Sequence, residues 1–347
     1  MTAAPSFFER HRTALLAAGA LALLAAPFVA YPIFLMKLMC FALLAASLNL
    51  MIGYVGLLSF GHAMFFGSAG YATAHAVKVW GFDPALGVLF GVAVAAAIGT
   101  VTGLLAIRRA GIAFSMITLA CAQLVYFIAL RSPFTGGEDG IQNVPRGKLL
   151  GLLSLQDNLT LYYVVMVAVV AAFWLIWRVV HSPFGQVLTA IRDNEPRAVS
   201  LGYRVNRYKL LAFTLSAALA GLAGGMKSIV FQIATLTDVS WVTSGEALLM
   251  GIVGGLQTML GPVVGAIVVV TMANQLSAFA EAVMIVQGTV FVLVVMLFRR
   301  GIVGEINAFL ARRARLGTPP EASAMPPRTP RAGPPASATA PTGAVHD

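Results

Sequence analysis

The chain has 347 residues, 59% of them apolar and only 10% charged, with a formal net charge of +10. Soluble domains carry roughly 45–50% apolar and about 25% charged residues. No single water-soluble core can hide this much apolar surface, which excludes a soluble enzyme and leaves lipid as the expected solvent.

A spanning helix needs roughly 20 mainly apolar residues. Ten segments qualify, near 13–31, 33–52, 60–79, 84–107, 112–131, 158–180, 209–231, 246–259, 261–280 and 283–298. The first follows Arg10, His11 and Arg12 in the manner of a signal peptide. No small-residue cleavage site precedes the apolar run that opens at Ile33, so a retained helix is expected. The eighth segment is short and Gly-rich, the pattern of a broken or re-entrant helix. Residues 1–12 read as a cytoplasmic N-terminal segment and 13–305 as the membrane domain. The Pro-, Ala- and Ser-rich stretch 306–347 has too little apolar surface to fold and is expected to be a disordered cytoplasmic tail.

Lys and Arg sit in short clusters between apolar runs, which is a topology signal rather than a nucleic-acid footprint. With a cytoplasmic N-terminus, the inner face receives Arg108, Arg109, Arg178, Arg192, Arg197, Arg204, Arg207, Lys209, Arg299 and Arg300. The outer loops keep Arg131, Arg146 and Lys148, with the acids Asp83, Glu138, Asp139, Asp157 and Asp238. Both termini then lie inside. Lys37, Lys78 and Lys227 fall toward outer helix ends, where a Lys stem can snorkel to water.

An internal repeat is visible. Residues 61–71 read Gly-His-Ala-Met-Phe-Phe-Gly-Ser-Ala-Gly-Tyr, and residues 245–255 read Gly-Glu-Ala-Leu-Leu-Met-Gly-Ile-Val-Gly-Gly. With five spans per half, the two copies cross in opposite senses, as in inverted-topology repeats that hold a substrate path between them. The fold class expected is therefore an all-α integral membrane protein of about ten helices in two inverted halves, with broken or re-entrant segments. Gly53, Gly56 and Gly61 would let the backbone leave helical geometry. Asn49, Ser59 and His62 could meet the freed groups, and Gly67, Gly251 and Gly254 complete a tentative substrate path. The same glycines also suit tight helix packing with no cargo nearby.

In the long inner loop, Ser182-Pro183 is a good helix start. Phe184, Val187, Leu188 and Ile191 would share a face of that helix. Asn194 can cap a second short helix through Glu195, and Gly202 supplies its stop. Two such helices lying along the membrane surface can be gripped by a partner protein. Gly221 to Ser228 approaches a phosphate-binding loop but has Met226 where Gly is required, and it lies in an apolar span. Cys40 and Cys121 fall inside apolar runs and read as small hydrophobes. Paired carboxylates, a nucleophile elbow and a metal cluster are all lacking, so neither a catalytic nor a metal site is expected.

The run Leu48 to Ala74, the outer-loop residues Thr135-Gly136-Gly137-Glu138-Asp139-Gly140, and the inner loop Ser182-Pro183-Phe184-Gly185 through Ala190-Ile191-Arg192-Asp193-Asn194-Glu195 to Leu201-Gly202-Tyr203 resemble the permease subunits of branched-chain amino-acid ABC transporters, M-type in the outer loop. The resemblance covers about residues 33 to 305. It implies a channel-forming subunit of an ATP-driven importer in a bacterial inner membrane, without enzymatic activity, working by alternating access. The implied partners are a second permease subunit, two cytoplasmic ATP-binding subunits that hold the ATP, and a periplasmic solute-binding protein. It makes Thr135, Gly136, Gly137, Asp139 and Gly140 an outer motif. It also makes Ser182, Pro183, Phe184, Arg192, Asn194, Glu195 and Gly202 the ATPase-coupling loop. There the family carries Glu-Ala-Ala and a Gly, whereas this chain has Glu195, Ala198 and Gly202, a looser match. Similar permeases carry urea or short amides, which is the alternative cargo. An ion-coupled secondary transporter is a rival reading that would want buried acids, and a lipid-acting enzyme would want a convergent polar cluster at the bilayer surface.

Overall fold

The computed structural model describes residues 23–275 except 110, 150 and 152, together with residues 286, 288, 289, 292, 296 and 301–305. The predicted spans 13–31 and 283–298 fall largely outside these residues, as do the predicted segments 1–12 and 306–347. Helices dominate: α1 (Pro32–Asn49), α2 (His62–Lys78), α3 (Pro84–Ala106), α4 (Ile112–Arg131), α5 (Asn158–Val180), α6 (Pro183–Asp193), α7 (Glu195–Ser200), α8 (Val205–Phe231), α9 (Trp241–Gly254) and α10 (Gly261–Gln275). α1 continues through a widened helical segment, Leu50–Val55. Five of these helices, counting α1 with its extension, are long and apolar enough to cross a membrane, and α9 and α10 are shorter apolar helices. The protein is an all-α integral membrane protein.

Local chemistry sets the helix ends. Pro32, Pro84 and Pro183 occupy first helical positions, where their missing N–H is no loss. Asp83, Asp157, Ser182, Asn194 and Ser240 accept the first free backbone N–H groups of α3, α5, α6, α7 and α9. Four two-residue strands form two antiparallel ribbons: β1 (Ile141–Gln142) pairs with β4 (Ile233–Ala234), and β2 (Lys148–Leu149) with β3 (Leu153–Ser154).

Packing rests on small residues. A Cβ on Gly99 would strike Ala217, one on Gly221 would strike Ala95, and one on Gly103 would meet Leu210. α3 and α8 are therefore antiparallel and nearly in backbone contact. Gly224 lies against the carbonyl of Phe66, and His62 meets Ser216, Ala69 faces Gly221 and Thr73 faces Gly225 in order, so α2 runs parallel to α8. Lipid tails give helices no hydrophobic reason to associate, and close approach of this kind replaces it. The run Gly221 to Ser228 thus serves packing. Phe65, Phe66, Phe114, Phe213 and Tyr162 fill the core completely buried.

The two halves interlace. α1 packs on α8, α9 and α10, and α8 packs on α1, α2 and α3. The tyrosine hydroxyl of Tyr162, near the start of α5, donates to the carbonyl of Leu23 at 2.7 Å. Arg146 in turn bridges Asn158 and the Val230 carbonyl at the end of α8, both at 2.8 Å. The beginning of α1 therefore sits at the end of the bundle where α8 finishes. α1 finishes beside the Arg-rich loop where α8 begins. α1 and α8, which carry the second predicted span of each half, run in opposite directions, in accord with the repeat in the sequence.

One expectation is corrected. Lys227 does not snorkel to water: its ammonium contacts both carboxylate oxygens of Asp238 at 2.5 Å. Asp238 lies in the connection between α8 and α9 and is 8% exposed, in a turn of helix over Leu236–Val239 that presses on Gly67 of α2.

Candidate functional site

Among the described residues, three breaks of helical geometry flank α2 and α9, and the first and third touch. In Leu50–Val55 the turns widen, and Gly56, with φ +79°, closes them by donating its N–H to the carbonyl of Met51. Widened turns of this type concentrate at functional sites. Residues 57–61 then run non-helically against α4, where Ser115 donates to the Leu58 carbonyl at 2.7 Å and Thr118 accepts from the Phe60 N–H at 3.3 Å. The second break, residues 232–240, enters from the opposite end. At the point of approach, Ser244 of α9 accepts the N–H of Ala63 in the first turn of α2 at 2.8 Å.

The third break is the turn between α9 and α10. Gln257, in the left-handed region at φ 65°, packs on the widened segment. Asn49 accepts the N–H of Gln257 at 3.2 Å and donates to the Thr258 carbonyl at 3.0 Å, while the Tyr54 hydroxyl donates to the Gln257 carbonyl at 3.3 Å. A Cβ on Gly53 would sit 2.9 Å from the Gln257 nitrogen, so only glycine admits this turn. Gly254 abuts the carbonyl of Gly261 and closes the α9–α10 hairpin, whereas a Cβ on Gly251 would meet only Leu256 among the described residues.

Ser59 and His62 are buried. Ser59 turns back on its own loop, accepting the Gly61 N–H at 3.2 Å. Ser216 gives its one proton to the Ser47 carbonyl at 2.6 Å, so it must accept from His62 Nε2 at 2.8 Å. His62 is therefore the Nε2–H tautomer, tying α2 to α8 and through Ser216 to α1. Its Nδ1 has no partner among the described residues.

At the Arg-rich end, α6 and α7 form as expected from their caps. Ser182 accepts from Gly185 at 3.4 Å and Asn194 from Arg197 at 3.1 Å. Gly202, at φ +86°, ends the second helix. Phe184 stacks on Tyr208 with centroids 5.5 Å apart, while Leu188 and Ile191 are buried. Two contacts fix this unit to the bundle. Lys209, 3% exposed, pairs with Glu195 at 2.8 Å. Arg192 donates to the carbonyl of Gly53 at 2.5 Å while also holding Asp193, and its stem fills the space that a side chain on Gly56 would need. The surface helix thus grips the widened segment directly. Spacing could not reveal this contact, because the partners lie 139 residues apart.

At the other end, Thr135 donates to the carbonyls of Ala129 and Ser132. Gly136, Gly137 and Gly140 all have positive φ, a conformation nearly free only for glycine. Glu138 and Asp139 are exposed at the tip. A Cβ on Gly140 would collide with the Ala234 carbonyl, beside the β1–β4 ribbon that joins this loop to the second break. Gly140→Ala should therefore lower the melting temperature in detergent by more than Gly151→Ala, which shares a positive φ but has open space around it. Equal shifts would refute the collision.

Interlaced halves of long apolar helices, interrupted by glycine-bearing breaks, define a polytopic membrane protein. Residues 14–295 match the family described as "Branched-chain amino acid transport system / permease component", and the chain belongs to that family. It is 27% identical over 283 residues to the high-affinity branched-chain amino acid transport system permease protein LivM of Escherichia coli, covering 74% of this chain and 65% of that protein. The LivM protein of Salmonella typhimurium is 26% identical over the same shares. The ribose import permease protein RbsC of Bacillus subtilis is 27% identical, covering 76% of this chain and 79% of that protein. The chain spans 65% of the length of the LivM proteins it matches. No solved structure matches it significantly.

Proposed function

We propose that the chain is a channel-forming permease subunit of an ATP-driven importer of branched-chain amino acids in a bacterial inner membrane. It pairs with a second permease subunit, two cytoplasmic ATP-binding subunits and a periplasmic solute-binding protein. Both termini and the α6–α7 face lie in the cytoplasm, following the bias of Lys and Arg. The chain itself has no catalytic role; ATP is bound and hydrolysed by the partner subunits.

The observation that carries this reading is the Arg192–Gly53 contact. A force applied to α6 by an ATP-binding partner reaches the widened segment of α1 through one side chain. From there Asn49 and Tyr54 pass it to the α9–α10 turn of the other half. A depression of about 470 Å³ lined by Glu195, Val199, Arg204, Val205, Asn206 and Arg207 gives the partner a foothold on the same face. On this reading the glycine-bearing breaks around Asn49, Gly53, Gly56 and Gly67, with Gly251 and Gly254, border the substrate path. Rocking of the two halves opens that path alternately to each side.

Arg192→Ala is expected to cut leucine uptake by vesicles holding the full importer on the order of tenfold. Membrane insertion should be unchanged, and ATP hydrolysis should lose its response to the loaded binding protein. Arg192→Lys should restore little, because a point charge does not reproduce the fork that holds Gly53 and Asp193 together. Uptake of leucine by the chain alone, driven by an ion gradient, would overturn the reading. The similarity to RbsC supports a sugar as second cargo class, and uptake of ribose without leucine would select it.

A further inference from the structure

The depression at the Arg-rich end, about 470 Å³, joins Glu195 and Val199 of α7 to Arg204, Val205, Asn206 and Arg207 at the start of α8. The acid in its lining is already taken, because Glu195 pairs with the buried Lys209 at 2.8 Å. Arg204 and Arg207 are exposed, and their side chains make no ion pair or hydrogen bond among the described residues. The depression therefore presents two guanidinium groups with no opposing charge left over. It suits an anion, and the fork of a guanidinium fits phosphate in particular.

The surface beside the arginines indicates what carries the phosphate. Residues 204, 207, 211, 215, 218 and 222 lie along one stripe of α8 at helical spacing. On it Arg204, Arg207 and Leu211 are exposed, Leu211 at 61%, and Leu215, Ala218 and Leu222 are partly exposed. The stripe passes from apolar to doubly basic within one turn. The neighbouring end of α3 repeats the change. A Cβ on Gly103 would stand 2.7 Å from Leu210, which sets the end of α3 beside the start of α8. There Val101, Leu104 and Leu105 are exposed, and the exposed Arg108 and Arg109 follow them. Two adjacent helices thus leave the apolar layer at one level, each beneath arginines. A carboxylate on a protein partner would satisfy the arginines and leave the leucines bare. A phospholipid meets both, with its phosphate on the cations and its chain on the apolar stripe.

We propose that Arg204 and Arg207 hold the phosphate of one anionic phospholipid, with Asn206 beside its glycerol headgroup and an acyl chain along Leu211. A zwitterionic lipid already covers its phosphate with its own ammonium, so the site prefers a lipid with net negative charge. An ATP-binding partner seated on α6 and α7 would close over the headgroup. The site stands on the membrane fold alone and depends neither on the cargo nor on the orientation proposed above.

Native mass spectrometry of the purified full chain, supplied with phosphatidylglycerol or phosphatidylcholine, tests the site. The parent should keep one more phosphatidylglycerol than the double variant Arg204→Gln with Arg207→Gln. The affinity of that variant for phosphatidylglycerol should fall about tenfold or more, with phosphatidylcholine adducts alike in the two. Arg131→Gln, at an exposed position on the opposite end of the bundle, should bind both lipids as the parent does. Phosphatidylglycerol held equally by the parent and the double variant overturns the site. Displacement of the lipid by inorganic phosphate would make it a site for free anions, and also overturns it. If the double variant does not accumulate, the parent decides: equal retention of the two lipids refutes the proposal. So does phosphatidylglycerol that the chain holds alone but loses in the assembled importer, because a protein partner then takes the arginines.

Discussion

Lys227→Met should leave little folded protein, destabilising the bundle by about 3–5 kcal/mol, because it strands the buried Asp238 carboxylate without its partner. The pair is closed on every side the structure describes. Both oxygens of Asp238 contact the ammonium at 2.5 Å, Thr235 donates to the same carboxylate, and the ammonium lies 5.8 Å from the centre of the Phe231 ring. The segment bearing Asp238 packs on Gly67, so repulsion from an unpaired carboxylate would push the second break off α2. Asp238→Leu should be nearly as damaging through the orphaned Lys227. The double variant Lys227→Met with Asp238→Leu should regain most of the loss, since removing both charges removes both desolvation costs. Survival of monodisperse protein after heating in detergent reads all three. Single variants as heat-resistant as the parent would show that the ion pair holds nothing together.

The sequence shows where chains enter and leave the membrane more readily than what they touch inside it. The bounds 112–131 and 158–180 coincide with α4 and α5, because Gly111 and Asp157 precede long uniform apolar runs flanked by polar loops. α8 begins at Val205 rather than 209. Hydropathy treats its first turn, with Arg207, as loop, because the buried pairing of Lys209 with Glu195 just beyond it is not visible in local composition. α9 starts at Trp241, five residues before the predicted 246, because Ser240 caps it; Gly245 and Glu246 hide the start from a search for apolar runs. Gly56 was legible as a break because left-handed backbone selects glycine. The grip of Arg192 on Gly53, and the approach of Lys227 to Asp238 across a chain reversal, depend on how helices are laid side by side. No local spacing encodes that. His62 shows the same limit: its type and place suggest a polar path, while its surroundings hold it between Ser216 and the rings of Phe65 and Phe213, both near perpendicular to its own.

Gly224→Ala and Gly245→Ala, both within helices, should move stability in opposite directions. At Gly224 a Cβ would be driven into the carbonyl of Phe66, which is backbone of α2 and cannot rotate away. The clash falls where α2, α3 and α8 are held together, since Gly221 faces Ala95 and Gly225 faces the Thr73 hydroxyl on either side of it. Relief requires α2 and α8 to separate along their whole parallel contact, which would also stretch the His62–Ser216 hydrogen bond. Overpacking of this kind costs about 1–3 kcal/mol, and in lipid no hydrophobic gain opposes the separation. Gly224→Leu should prevent assembly altogether. At Gly245 a Cβ meets nothing within 4 Å. Alanine there removes only the conformational freedom of glycine, worth about 0.5–1 kcal/mol in favour of the helix. Melting of the purified chain in detergent should therefore fall for Gly224→Ala and hold or rise for Gly245→Ala. If both variants melt like the parent, α2 and α8 are not held at backbone contact, and the interlaced arrangement of the halves is wrong where it is tightest.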